Sequence, residues 1–242
     1  MTFRSVDFFG GKAHEGFVNK ALALFKNNDT MGNIIKGLAR NSTYRLILTG
    51  HSLGAAVAGL LFIKLNVERW QPLRNREVSC VGFGCPPAFA PPENNHLVDA
   101  ALSKTSWFVN RHDIIPFLSN ESVNAFAETL KKVNASTGTM SMRDLARLFR
   151  NSKYIPETLV KVVEADSHEL KPPESGKRLQ IPGKRVFWMH DGKGNEDPGK
   201  LKVVCCDPAV LSSFAIRLSD QFLFDHMTPR YHKRIHGLLN QK

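Results

Sequence analysis

The sequence predicts an α/β fold in which a mostly parallel sheet is flanked by helices. Three apolar runs of strand length, at residues 44–49, 78–84 and 106–110, are each separated from the next by a helical segment. Strands that alternate with helices pair in parallel, because each helix carries the chain back across the sheet. The chain has 242 residues and is 42% hydrophobic, which is enough for one substantial core, so we expect a single domain over residues 1–242.

The elements before the third strand follow from the spacing of apolar residues. Phe17, Ala21 and Phe25, for example, recur at the spacing of a helix face. In chain order the predicted elements are helices over 13–28 and 30–40, a strand over 44–49, a helix from residue 53 to about 70, a strand over 78–84, a short helix near 94–103 and a strand over 106–110.

The second half of the chain has a different texture. Residues 118–175 are polar with helical spacing, and we expect a helical insertion there. The insertion either packs on the sheet as ordinary helices or acts as a lid that contacts membranes, and the sequence leaves both open. Strand-like residues return at 185–190, where residues 201–205 are expected to pair back as a hairpin, and a last helix follows residue 226.

A tight turn joins the first of the three strands to the next helix. It reads Gly50-His51-Ser52-Leu53-Gly54, which has the form of a nucleophile elbow. We expect Ser52 to adopt a strained backbone conformation that lifts its hydroxyl above the sheet. The two glycines on either side are expected to let the strand and the helix pack closely.

The sequence offers nine histidines as the base that such a serine needs. With an elbow of this kind the chain order is serine, acid, histidine, and His226 fits that order. His51 and His112 do not follow a suitable acid in the chain. His232 and His236 lie on the basic face of the last helix, where a solvated surface role is expected.

Three aspartates compete for the role of acid. Asp113 follows the third strand, at the end of a parallel sheet where functional side chains gather. Asp99 falls within a helix, and Asp225 would need an awkward backbone to reach the neighbouring His226. We therefore expect Asp113 to orient His226.

The formal net charge of +11 indicates attraction to an anionic surface. No aromatic-interleaved basic stripe or nucleic-acid motif is present, so a membrane surface is favoured over nucleic acid, and the remaining alternative is a solvated surface.

We expect the four cysteines to be reduced thiols and Met1 to Asp7 not to be a secretory signal. The expected location is cytoplasmic and peripheral to membranes. The apolar stretch 46–65 fits a buried strand and helix better than a membrane span.

Four landmarks occur in one order along the chain. They are Ala13-His14-Glu15-Gly16-Phe17, Gly50 to Ala56, Asp113-Ile114-Ile115-Pro116 and Asp225-His226-Met227. Together they resemble the class 3 lipase family, a group of α/β-hydrolases. Residues 179–184 and 218–227 most resemble the branch of diacylglycerol lipases selective for the sn-1 ester, which also carries an insertion after its acid.

The resemblance implies a role for each residue of the site. Ser52 would be the nucleophile, Asp113 the orienting acid and His226 the general base, and the N–H of Leu53 would be one oxyanion donor. The implied substrate is an acylglycerol at a membrane or lipid-droplet surface. The implied mechanism requires no cofactor or metal, and neither nucleic acid nor an obligate protein partner is expected.

One segment departs from the family pattern. Class 3 lipases carry a strand and an F-R-G-[TS] loop well upstream of the H-x-G-F stretch, and that loop supplies a second oxyanion donor. Here thirteen residues precede His14, and Phe3-Arg4-Ser5 only echoes the loop. We expect either a shortened variant or part of a longer, membrane-anchored protein. Two alternatives to a diacylglycerol lipase therefore remain: a catalytically weak scaffold that binds lipid or protein, and a phospholipase A1 or other carboxylesterase.

Overall fold

The computed structural model describes residues 4–41, 43–138, 141, 178–191, 201–212 and 222–240. Its strands are β1 (Ser5–Phe8), β2 (Gly11–His14), β3 (Leu46–His51), β4 (Val78–Phe83), β5 (Phe89–Ala90), β6 (Thr105–Asn110), β7 (Val186–Asp191) and β8 (Leu201–Cys206). Its α-helices are α1 (Glu15–Lys26), α2 (Asn28–Arg40), α3 (Leu53–Val67), α4 (His96–Leu102), α5 (Asn120–Gly138), α6 (Pro208–Ser212), α7 (Phe222–His226) and α8 (Thr228–Leu239). Short 3₁₀ turns occupy Gln71–Leu73 and Ile115–Phe117.

The main sheet has five strands in the order β3-β4-β6-β7-β8. The first four strands are parallel, with Leu46 opposite Val78 and Trp107 opposite Val186, and β8 pairs antiparallel with β7. The predicted mostly parallel sheet and the predicted hairpin are therefore confirmed. Because the carboxyl ends of β3, β4 and β6 meet at one edge, residues that follow these strands come together there.

Helix α3 is the central helix of the core. Ten of its fifteen residues are buried, and it packs against α1, α4, β3 and β4. Its apolar character all round is typical of a helix enclosed by protein. In the part of the chain that the structure describes, no helix is both long and apolar enough to span a membrane.

A small antiparallel sheet at the start of the chain was not predicted. Strands β1 and β2 form a hairpin, and the two-residue strand β5 joins its edge. Helix α1 begins at Glu15 rather than at residue 13, since the ring of His14 caps it by accepting a hydrogen bond from the Gly16 N–H at 3.2 Å. Strands of two to four residues are too short to produce a period that sequence reading can detect.

Strand β3 pairs with β4 on one side, and among the described residues no strand pairs with its other side. Its Ile47 is 45% exposed, which is unusual for an apolar residue of a parallel strand. Helix α5 forms the first part of the predicted insertion, while residues 142–175, on which the choice between ordinary helices and a lid depends, lie outside the described residues.

Candidate active site

Ser52 occupies the turn between β3 and α3. Its backbone has φ 57° and ψ −129°, a conformation that costs a non-glycine residue on the order of 1–3 kcal/mol. The Ser52 N–H donates to the carbonyl of Phe83 at 2.9 Å, which ties the turn to β4. The predicted strain at this serine is therefore present.

The two glycines of the elbow differ in what they allow. A Cβ atom at Gly50 would collide with the backbone of Gly54 and Ala55, so the close approach of strand and helix requires glycine there. A Cβ atom at Gly54 would meet no described atom within 4 Å beyond its own helix. The prediction that both glycines are needed is wrong for Gly54, because its Cα faces open space.

The three residues selected from the sequence meet at the carboxyl edge of the sheet. The Oγ of Ser52 lies 2.9 Å from Nε2 of His226. The Nδ1 of His226 lies 3.0 Å from both Oδ1 and Oδ2 of Asp113. A carboxylate accepts only, so the Nδ1–H donates to Asp113, and Nε2 is left to accept the proton of the serine hydroxyl. This chain of hydrogen bonds can convert a hydroxyl into a nucleophile.

Asp113 is fully buried and is fixed by further donors. Its Oδ1 accepts from the N–H of Ile115 at 2.9 Å, and its Oδ2 accepts from the hydroxyl of Tyr231 at 2.6 Å. The same hydroxyl accepts from the Asn110 N–H at 3.0 Å. Burial, and next the negative charge of Asp113, raise the pKa of Tyr231 well above its ordinary value, so this phenol stays a donor. Sequence reasoning missed Tyr231, which lies 118 residues beyond Asp113.

His51 holds the backbone of the base. Its Nε2 donates to the carbonyl of His226 at 2.6 Å, and the two imidazole rings lie 4.6 Å apart at 32°. Burial lowers the pKa of His51 below its ordinary value, which favours the neutral ring. Chain order excludes His51 as the base, and the structure instead places it where it fixes the position of His226.

Gly84 lies against the acid and base. It follows β4, has φ +57°, and donates its N–H to the carbonyl of Phe108 at 2.9 Å. A Cβ atom at this position would lie 2.7 Å from Oδ2 of Asp113 and 3.0 Å from Nδ1 of His226. Only glycine combines this conformation with this approach.

The two rejected aspartates have other partners. Asp225 is buried, and its Oδ2 accepts from the N–H of His112 at 3.3 Å, while its carbonyl accepts from Nδ2 of Asn110 at 2.8 Å. Asp99 forms a surface ion pair with Lys184 at 2.9 Å. Asp225 thus anchors the segment that carries His226 to the loop that carries Asp113.

The oxyanion side of the site begins at Leu53. Leu53 is the first residue of α3, and N–H groups of the first turn have no acceptor within their own helix. Such groups, at the positive end of the helix, favour an anion. Two described residues of the segment that echoes the second donor loop lie at the first hairpin. Ser5 in β1 pairs with His14 in β2, and the carbonyl of Arg4 accepts from the Glu15 N–H at 2.9 Å.

Neither of two cavities found among the described residues is lined by Ser52. The larger, of about 660 Å³, lies at the amino end of β3 between Ile34 and Tyr44, far from the serine along the strand. The smaller, of about 320 Å³, lies beside Asp225. Across the described parts of the chain, no group of three or more potential ligand residues could hold a metal ion.

Comparisons with known proteins give one family match and several structural matches. Residues 1–123, just over half of the 242 residues, match the family described as lipase (class 3). No curated protein matches the chain. The structure is similar to that of the lipase from Rhizopus microsporus var. chinensis, with a TM-score of 0.52 and 19% identity over 94% of this chain and 58% of that one.

Lipases of Rhizomucor miehei give similar values. The lipase propeptide complex matches with a TM-score of 0.52 and 18% identity over 93% of this chain and 53% of that one. The triacylglyceride lipase matches with a TM-score of 0.50 and 18% identity over 93% and 63%. The chain therefore spans 53% to 63% of the length of these three lipases. At such identities the likeness establishes a shared fold.

Proposed function

The chain belongs to the class 3 lipase family and has the α/β-hydrolase fold, and on this premise we propose that it hydrolyses acyl ester bonds of acylglycerols. Ser52 is the nucleophile, His226 the general base and Asp113 the orienting carboxylate. The observation that carries the proposal is the hydrogen-bonded chain from the Ser52 hydroxyl through His226 to Asp113, with spacings of 2.9 and 3.0 Å.

The reaction follows from the positions of these atoms. The Oγ of Ser52 attacks the ester carbonyl carbon while Nε2 of His226 takes the hydroxyl proton. The negative oxygen that forms is stabilised by the N–H of Leu53, and His226 then gives its proton to the leaving glycerol oxygen. Water, deprotonated by His226, attacks the acyl carbon. The bond from that carbon to Oγ of Ser52 then breaks, His226 returns the proton to Oγ, and the fatty acid leaves. No cofactor takes part in these steps.

The proposed substrate is a diacylglycerol at a membrane or lipid-droplet surface. Three large apolar side chains within two residues of Ser52 or His226 in the chain support a lipid surface: Leu53, Phe224 and Met227 are 40%, 57% and 55% exposed. The resemblance of residues 179–184 and 218–227 to sn-1-selective diacylglycerol lipases favours this substrate over a triacylglycerol. We place the protein at the cytoplasmic side of membranes as a peripheral enzyme.

Hydrolysis of a short-chain ester and of a diacylglycerol tests the proposal. Ser52→Ala should lower kcat/KM for both substrates by about a thousandfold or more, because the variant lacks the hydroxyl that acts as the nucleophile. Ser103→Ala is the matched control, since Ser103 is an exposed serine at the end of α4, and it should keep wild-type rates.

Two outcomes would change the assignment. Equal rates for wild type and Ser52→Ala would exclude the proposed enzyme and favour a lipid- or protein-binding scaffold. Loss in Ser52→Ala together with a preference for phospholipid over diacylglycerol would retain the mechanism and move the substrate to that of a phospholipase A1.

A further inference from the structure

A basic groove lies beside the segment that carries His226. It has a volume of about 320 Å³ and is lined by Arg111, Leu201, Asp225, Arg230, Lys233, Arg234 and Gly237. The last four residues recur at i, i+3, i+4 and i+7 along α8, so they share one face of the helix. Arg111, which directly follows β6, also lines the groove.

Two of the basic residues that line the groove, Arg230 and Lys233, lie one turn apart on α8. Among the described residues that line the groove, Asp225 supplies the carboxylate, and this residue is buried and 3% exposed. Arg230 and Lys233 are exposed, and neither forms an ion pair within the described part of the chain. Like charges gathered at one place repel each other, and a bound anion relieves that repulsion. Guanidinium groups are well suited to phosphate oxygens, which they can bind in pairs.

The backbone of Arg111 supports a role in binding. Its φ is +42°, in the left-handed region that an arginine seldom adopts. Two hydrogen bonds hold it there: its N–H donates to the Met189 carbonyl at 2.7 Å, and its carbonyl accepts from Nε1 of Trp188 at 2.8 Å. Strain of this kind persists where the surroundings impose it, and it is concentrated at ligand sites.

Apolar side chains next to the groove indicate a lipid as the source of the anion. Phe224 and Met227, which flank Asp225 and His226 in the chain, are 57% and 55% exposed, and Leu239 at the end of α8 is 79% exposed. Basic residues beside exposed apolar residues on a short helical segment are the pattern of a membrane-surface contact. A site for a soluble phosphate would not need these apolar neighbours.

We propose that the groove between α8 and the carboxyl end of β6 binds the phosphate of an anionic phospholipid headgroup. Asp225 and Arg111 lie one and two residues from His226 and Asp113, so a headgroup bound there holds the membrane surface beside the site. This consequence for hydrolysis rests on the proposed function, whereas binding of the headgroup does not.

Vesicle binding by the inactive Ser52→Ala protein tests the proposal without hydrolysis. Cosedimentation should be much stronger with vesicles of phosphatidylcholine and phosphatidylserine than with phosphatidylcholine alone. Adding Arg230→Gln and Lys233→Gln should weaken binding to the anionic vesicles by about tenfold or more, because each basic residue at a membrane surface contributes about fivefold.

Lys20→Gln with Lys36→Gln is the matched control. It removes the same charge from exposed lysines on α1 and α2, and it should change vesicle binding by less than about threefold, since charges far from the contact are screened. Equal losses in the two double variants would overturn the proposal, because net charge would then explain the binding.

Two further measurements are needed. One distinguishes a lipid headgroup from free phosphate as the source of the anion, and the other distinguishes headgroup binding from the proposed hydrolysis. Phe224→Ser should weaken vesicle binding and leave binding of inorganic phosphate unchanged. The lipid assignment would be overturned if Phe224→Ser left vesicle binding unchanged and inorganic phosphate bound as tightly as the vesicles do. In the chain with Ser52 intact, Arg230→Gln with Lys233→Gln should hydrolyse a water-soluble ester at the wild-type rate, and loss of that rate would make the groove part of the catalytic site instead.

Discussion

The two sides of the candidate site are built differently. On the acid–base side, Asp113 is fully buried, and groups from three parts of the chain, Ile115, Tyr231 and His226, donate to its carboxylate. On the nucleophile side, Leu53 is 40% exposed at the start of α3, next to a strand with one described neighbour. The difference indicates that side-chain contacts fix the acid and base, whereas the oxyanion side depends on backbone groups at an exposed helix end.

Among the substitutions that test this difference between the two sides, the largest effect is expected from a methyl group placed against the acid–base side. Gly84→Ala should lower kcat/KM for a short-chain ester by about a hundredfold or more, because its Cβ would displace Asp113 and His226 from reacting geometry. The positive φ of Gly84 adds strain to the substituted protein. Circular dichroism checks that the variant is folded.

Gly54→Ala gives the matching change on the nucleophile side. Its Cβ would face open space, so activity should stay within a few-fold of wild type, and the helix should gain up to about 1 kcal/mol in unfolding free energy. Similar losses in Gly54→Ala and Gly84→Ala would show that the two sides are equally constrained, contrary to this comparison.

A smaller effect is expected at Tyr231. Tyr231→Phe keeps the buried ring but removes the donor to Asp113 and leaves the Asn110 N–H without its acceptor. We expect about 1–3 kcal/mol less unfolding free energy in denaturant titrations. We also expect a roughly tenfold lower kcat with little change in KM, because the acid is less well oriented.

Tyr44→Phe is the control for the loss of a phenol. Tyr44 is 52% exposed, so its variant should match wild type in both measurements. A Tyr231→Phe enzyme that lost stability but kept its full kcat would limit Tyr231 to a role in packing.

The smallest effect concerns pH and His51. Its pKa lies below the ordinary value of 6.5, chiefly because of burial, so the unfolded chain binds protons more readily as pH falls through that value. The stability that the neutral ring provides is therefore present above about pH 6.5 and is lost below it. His51→Gln keeps a donor for the His226 carbonyl, and it should reduce the difference in unfolding free energy between about pH 7 and about pH 5.

His14 gives the background for that measurement. Burial lowers its pKa too, so part of the loss toward acid pH should remain in His51→Gln. A pH dependence identical to that of wild type would mean that His51 titrates alike in the folded and unfolded chains.

Local patterns predicted the fold and the three residues of the candidate site. The order of apolar runs gave the parallel sheet, and the strand-turn-helix around Ser52 gave the elbow. What sequence reading missed depends on tertiary contacts. The hydroxyl of Tyr231 reaches Asp113 from a different element, and Gly84 matters through two side chains that fold against it. Chain order excludes His51 as the base. That criterion does not apply to a residue that positions the base through a hydrogen bond, as His51 does with the carbonyl of His226.

Labelling with a fluorophosphonate tests most directly whether His226 and Asp113 activate Ser52. Such a reagent reacts with an activated serine, and mass spectrometry locates the adduct. We expect an adduct on Ser52 in the wild type, and a rate lower by about a hundredfold or more in Asp113→Asn, which disturbs the orientation of the base. An adduct on another serine, or equal labelling rates in wild type and Asp113→Asn, would show that His226 and Asp113 do not activate Ser52.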